Sequence, residues 1–361
     1  EQISKETKEN VSNGLEFKEY VTSINEYVNS SGLNTINIDS IASDLTSNKG
    51  LDYKSLMMKI LNVFSKELAS TVVSSITIFI IILIIAVISS LELESKSDVT
   101  KIAHIACFFA LSMVTISNFL EVIEMLKGTV STLTTLMQVI SPFLMGVLMA
   151  TGAITSTGLI QPLLLFIAAT VGFIINYVVI PLLSISVAFN VISAISENIR
   201  LNKLSKFFSS FGLWVVGIVF TIFLGILSLE TSMSSSVDAL AVKTTQAAVS
   251  NFVPVVGKFF SDSFETVVGA TKIISNVGGT LGIISVIIIA IIPILKITCI
   301  TIIYSLLSAL IEPICNDSNL NKYISGFVSI YKTTLGILIG VTILFIISTG
   351  IILNLIGQVV K

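Results

Sequence analysis

Four charged residues recur along one helical face in the last third of the chain: Lys258, Asp262, Glu265 and Lys272, at i, i+4, i+7 and i+14. Phe259, Phe260, Phe264, Val267 and Val268 fall on the opposite face, so 254–272 reads as an amphipathic helix. Lys258 and Asp262 are spaced for an i, i+4 ion pair, which adds about 0.3 kcal/mol. Two uses fit this pattern. The helix can lie on a membrane with its phenylalanines in lipid. Alternatively, its polar face can line an aqueous path or dock a partner, with no evident selectivity by charge because two of the four residues are positive and two negative. Elsewhere, Glu312 and Lys296 are the most deeply placed ionisable side chains in apolar surroundings, the setting of ion relays. Both fall near expected helix ends, where snorkelling lowers their cost. They are separated by about 24 Å along a helix, so they cannot pair directly.

Little in the sequence supports catalysis. His104 is the only histidine, and no glycine-framed serine accompanies it, so it reads as a packing or interfacial residue. No H-E-x-x-H or G-x-x-x-x-G-K-[ST] run occurs, which removes zinc proteolysis and P-loop ATP hydrolysis. Transport driven by ATP would therefore need a separate motor subunit. No catalytic, cofactor-binding or metal-ligating residue is assigned, no cofactor is expected, and the chain is expected not to be an enzyme.

The elements that position these residues are apolar helices. Hydrophobic residues make up 53% of the chain and charged ones 12%, half the share usual in soluble proteins. The run 71–91 carries no charge at all and matches the ~20 residues that cross a bilayer core. Because such runs are continuously apolar rather than alternating, they must be helices and not the strands of a barrel. The expected fold is all-α: a polytopic helical membrane protein of seven or eight spans, with a small polar helical region at its N-terminus. Residues 1–67 form that region, with net charge −3, and 68–361 form the membrane domain, which includes the mixed segment 231–277. The first residue is Glu1, consistent with removal of a signal peptide and an N-terminus outside the cytoplasm. Cys107, Cys299 and Cys315 lie in or beside apolar runs and read as packed thiols.

Within 1–67, residues 15–28 are helix-patterned, a short helix follows Asp39 and Ser40, and 52–70 lead amphipathically into the first span. A second span covers about 102–120. Segment 121–157 is ambiguous: Pro142, Gly146, Gly152 and Gly158 suit either a span or a re-entrant pair of half-helices. Pro181 should kink the run 159–195. Residues 278–316 exceed one bilayer crossing and should turn back near Pro293–Lys296. Arg200, Lys203 and Lys206, interleaved with leucine and phenylalanine, form a basic interfacial collar, and positive loops tend to remain cytoplasmic. If 121–157 is re-entrant, seven spans place the C-terminus in the cytoplasm. If it crosses, everything after it inverts. Gly278-Gly282 and Gly336-Gly340 are G-x-x-x-G pairs, suited to close helix packing within the chain or between copies in a homo-oligomer. No basic block suggests nucleic acid.

The segments PVVGKFFSDSFETVVG at 254–269, TGAITSTGLIQP at 151–162, KLSKFF at 203–208, PILK at 293–296 and IEPI at 311–314 resemble the stage III sporulation protein AE family of endospore-forming bacteria. The resemblance covers about 70–360, and none of its motifs is catalytic. It implies a multi-pass subunit of a complex in the mother-cell membrane around the forespore. A secretion-type ATPase, ring-forming proteins and a forespore partner would complete a channel that sustains forespore integrity and late forespore gene expression. A proton- or ion-coupled transporter built on Glu312 is the second reading. A membrane scaffold that recruits ring proteins is the third.

Overall fold

The structure is a computed structural model describing residues 15–30, 38–46, 53–95, 98–150, 153–195, 201–252, 257–314 and 318–359. All described elements are helices. The first two are short: α1 (Leu15–Ser30) and α2 (Ile38–Thr46). Long rods follow: α3 (Tyr53–Ser95), α4 (Asp98–Ala150), α5 (Ile154–Ile174) and α6 (Ile180–Ile195), the last two joined by a π-helical turn at Ile175–Val179. The chain ends with α7 (Asn202–Phe252), α8 (Gly257–Ile314) and α9 (Ser318–Val359). Among the described residues, six helical stretches are long and apolar enough to cross a membrane.

Six is fewer than the sequence suggests, because two expected breaks are absent. Pro142 lies inside the continuous α4, so 121–150 neither turns back nor splits into half-helices. Pro293 lies inside the continuous α8, so no hairpin forms at Pro293–Lys296. The physical reason is hydrogen-bond accounting. One proline removes a single backbone donor and frees one carbonyl, whereas ending a helix and starting another orphans about eight groups. In apolar surroundings each orphan costs several kcal/mol, so the kinked or strained rod is favoured over the break. Pro181 is accommodated differently. It follows the π turn, where the Ile180 N–H donates to the Ile175 carbonyl five residues back, widening the turn just before the proline ring.

At 58 residues α8 is about 87 Å long, nearly three bilayer cores and far more than one crossing requires. Segment 231–277 is accordingly the end of α7 and the start of α8, not an independent unit. Likewise Tyr53–Glu67 continues without a break into the first apolar run as one helix. Bundle contacts repeat rung by rung. Gly278 faces Phe143, Asn118 bonds Tyr304, Thr349 meets Met137, and Phe166 packs edge-on against Phe223. Helices α4, α8 and α9 supply most of the interior, with Tyr304, Tyr323, Phe327, Tyr331 and Phe345 fully buried.

Candidate functional site

The residues that could carry function fall at two ends of this bundle. At one end, α1 docks on the membrane helices. Phe17, Tyr20, Val21, Ile24 and Val28 recur at helical spacing and are all buried. The Tyr20 ring stacks on Phe143 of α4 at 3.9 Å between centroids, and its hydroxyl donates to the Gly278 carbonyl of α8 at 2.8 Å. Burial pushes the Tyr20 phenol well above its ordinary value, because the phenolate would lose its water. The contact depends on glycine. A Cβ on Gly278 would stand 2.5 Å from Phe143 Cε1, and one on Gly282 would stand 3.1 Å from Ile140 and 3.3 Å from the Tyr20 hydroxyl. Nearby, Asn25 Nδ2 donates to Asp39 at 2.9 Å, joining α1 to α2.

The same end holds a residue that sequence reading missed. Asp238 of α7 is buried, and its two carboxyl oxygens accept from the backbone N–H groups of Thr155 at 3.1 Å and Ser156 at 2.7 Å. The first N–H groups of any helix lack intrahelical partners. In α5 the cap position is Ala153, which has no side-chain oxygen to supply one. Asp238 therefore caps α5 from 82 residues away and ties the TGAITST segment to α7. The signal available in the sequence was weak: a lone acid in SMSSSVDALAV beside a helix start without its own cap.

At the opposite end, polar side chains bond across helices. Asn190 of α6 is buried, donates to the Tyr323 carbonyl at 2.9 Å, and fills the space a side chain on Gly326 would need. The Tyr323 hydroxyl is hydrogen-bonded to Thr115 Oγ1. Ser186 and Ser205 exchange bonds, each hydroxyl donating to the other's carbonyl at 2.7 and 2.8 Å, which clamps α6 to α7. Lys203 and Lys206 are exposed on the first turns of α7 just beside this clamp. Arg200 lies outside the described residues.

The remaining sequence candidates are scattered. Residues 257–272 form the opening turns of α8, continuous with its apolar part and not a separate helix lying flat. The side chains of Lys258, Asp262, Glu265 and Lys272 lie outside the described set. Gly336 and Gly340 of α9 face Leu213 and Phe220 of α7. Lys296 is not near a helix end; it sits mid-rod and binds Glu121 of α4 at 2.8 Å. Glu312 is exposed in the last turn of α8. Cys299 is buried, Cys107 is half-buried, and Cys315 is outside the described residues. Among the described residues no group of three or more His, Cys, Asp or Glu side chains could hold a metal ion. This arrangement of intramembrane ties and docked helices is suited to holding a bundle in register and presenting its ends to other molecules.

The chain is 25% identical over 219 residues to the stage III sporulation protein AE of Bacillus subtilis (strain 168), which covers 61% of this chain and 55% of that protein. The match thus spans about half the length of the curated relative. No solved structure matches. The family model for stage III sporulation protein AE matches residues 36–355. Nearly the whole bundle described above lies within that match, and the chain belongs to the stage III sporulation protein AE family.

Proposed function

We propose that the protein is a non-enzymatic membrane subunit of a sporulation channel that links mother cell and forespore. The observation that carries this reading is the family match over 36–355, laid on a bundle of six long apolar helices. The long ends of α7 and α8 extend beyond a bilayer's thickness, which gives other subunits a handle outside the lipid. A secretion-type ATPase, ring-forming proteins and a forespore protein are the partners proposed for it. The polar face of 257–272, with Lys258, Asp262, Glu265 and Lys272, is proposed to meet the ring-forming proteins, the forespore protein or the translocated cargo.

Six crossings put the N-terminal helices and the C-terminus on one side, opposite the Lys203–Lys206 collar. Positive loops stay cytoplasmic, so the collar is proposed to face the mother-cell cytoplasm and both chain ends the other compartment. This differs from the seven-span expectation of a cytoplasmic C-terminus. The transporter reading draws no support from Glu312, which is exposed at a helix end, while Lys296 has Glu121 as its partner.

The test is complementation of a strain lacking the gene. Wild-type chain is expected to restore spore yield and late forespore expression. The Asp262→Leu/Glu265→Leu double variant should insert into membranes but fail to restore either. Normal sporulation of the deletion strain would reject the sporulation role, and normal sporulation of the double variant would reject the polar face as a working surface.

A further inference from the structure

The outward face of α4 changes character halfway along the helix. Its first half exposes Ile102, Ile105, Phe109, Met113 and Leu120. Between Leu120 and Met149, where every residue is described, no large apolar side chain is exposed. The outward positions are Glu121, Glu124, Lys127, Gly128, Ser131 and Gln138, all exposed. They recur at helical spacing, so they form one stripe. A Cβ on Gly128 would meet nothing within 4 Å, so the stripe borders open space. From Glu121 to Gln138 it runs for about 26 Å, most of the ~30 Å core of a bilayer.

Contacts with neighbouring helices fix its depth. Thr115 and Met137 of α4 bond Tyr323 and Thr349 of α9. Leu213 and Phe220 of α7 face Gly336 and Gly340 of α9. The three helices therefore run in one direction, and Lys127 to Gln138 of α4 lies at the depth of Trp214 to Leu229 of α7. At that depth α7 turns Trp214, Ile218, Ile222 and Leu229 outward, as a face against acyl chains must. The same level of the bundle thus carries a greasy side on α7 and a polar side on α4.

Charged and amide side chains are costly against acyl chains, so the α4 stripe faces something else. A two-fold contact of α4 with a second copy would set each Glu121 and each Glu124 against its counterpart. Like charges would then meet in a medium of low dielectric, which opposes that packing. Water meets the need along the whole stripe. The stripe lies on the outside of one chain's bundle, so neighbouring subunits must close any water-filled space beside it. We propose that the α4 stripe from Glu121 to Gln138 lines the water-filled path of the channel, through which small polar solutes pass. This rests on the channel reading and assigns the lining within it.

The test uses single cysteines in a Cys107→Ser/Cys315→Ser chain that keeps the buried Cys299, expressed in sporulating cells that lack the natural gene. Membrane vesicles of both orientations are treated with a charged, membrane-impermeant methanethiosulfonate, and labelling is counted above that of the parent chain. The reagent attacks the thiolate, which forms in water and not in lipid, so Ser131→Cys and Gln138→Cys should react at least about tenfold faster than Ile222→Cys at the same depth on α7. Lys203→Cys, in the exposed collar, supplies the rate for open water. Slow reaction at both Ser131→Cys and Gln138→Cys would overturn the proposal, because the stripe would then be dry and covered by a helix of another subunit. Reaction of Ile222→Cys as fast as Ser131→Cys would overturn it too, by placing this depth outside lipid. Spore yield of the same strains judges the channel reading separately: a dry stripe in a chain that restores spores sinks the lining alone.

Discussion

Helices α8 and α9 each carry a pair of glycines four residues apart, and the two pairs do different work. Around Gly278 and Gly282, aromatic side chains from α1 and α4 press into the space, to 2.5 Å from a Gly278 Cβ position. Around Gly336 and Gly340, α7 approaches only to 3.5 and 3.2 Å. The first pair is a socket for a specific guest, because the bared Gly278 carbonyl accepts the Tyr20 hydroxyl as well as making room. The second pair only lets two membrane helices lie close. An identical sequence motif therefore encodes recognition of a distant segment in one place and simple proximity in the other.

The sharpest way to break this contrast is Gly278→Leu. Even a Cβ would collide with Phe143, which is itself held by stacking on Tyr20, so the ring cannot swing away without displacing α1. Overpacking of this kind costs about 1–3 kcal/mol and should release α1. Limited proteolysis in detergent should show cleavage between α2 and α3 at least severalfold faster than in wild type. Cleavage at the wild-type rate would mean that α1 does not rely on the socket.

A smaller effect is expected from Tyr20→Phe, which keeps the stacked ring and removes only the hydrogen bond. The loss should be about 1 kcal/mol. Tyr20 also makes the docking pH-dependent. Its folded-state value is raised above the unfolded one, so its contribution is fully present below about pH 10 and is lost progressively as pH rises further. Protease release of α1 in wild type should therefore accelerate above that pH, while Tyr20→Phe should show no such rise from this residue. Identical alkaline profiles for the two proteins would rule out the buried phenol as the cause.

The sequence made the helical class plain because lipid demands long uncharged runs, and 71–91 has no other reading. The collar lysines and both glycine pairs stand out as local patterns in the sequence, but what each glycine pair faces does not. Three features were beyond it. The Asp238 grip joins a carboxyl to backbone N–H groups 82 and 83 residues away, and backbone donors leave no mark in the sequence. The Tyr20–Gly278 bond spans 258 residues and likewise ends on a carbonyl. Finally, Pro142 and Pro293 look like helix breaks by rules learned in water, where freed backbone groups find solvent. Among apolar neighbours they do not, and the helices run through. Glu121 was visible as a charge on α4, yet only the bundle's register revealed Lys296 as its partner.

The mildest substitution tests the looser pair. In Gly336→Ala the new methyl would stand 3.5 Å from Leu213 Cδ1, within ordinary van der Waals contact, so nothing has to move. Alanine also favours the helix over glycine by about 1 kcal/mol, an advantage that partly survives in a packed rod. The expected result is unchanged or slightly raised thermal stability, with α1 as protected from protease as in wild type. A clear loss of stability would show that α7 and α9 must approach more closely than this structure places them. The two glycine pairs would then be sockets of the same kind, and the distinction drawn between them would fail.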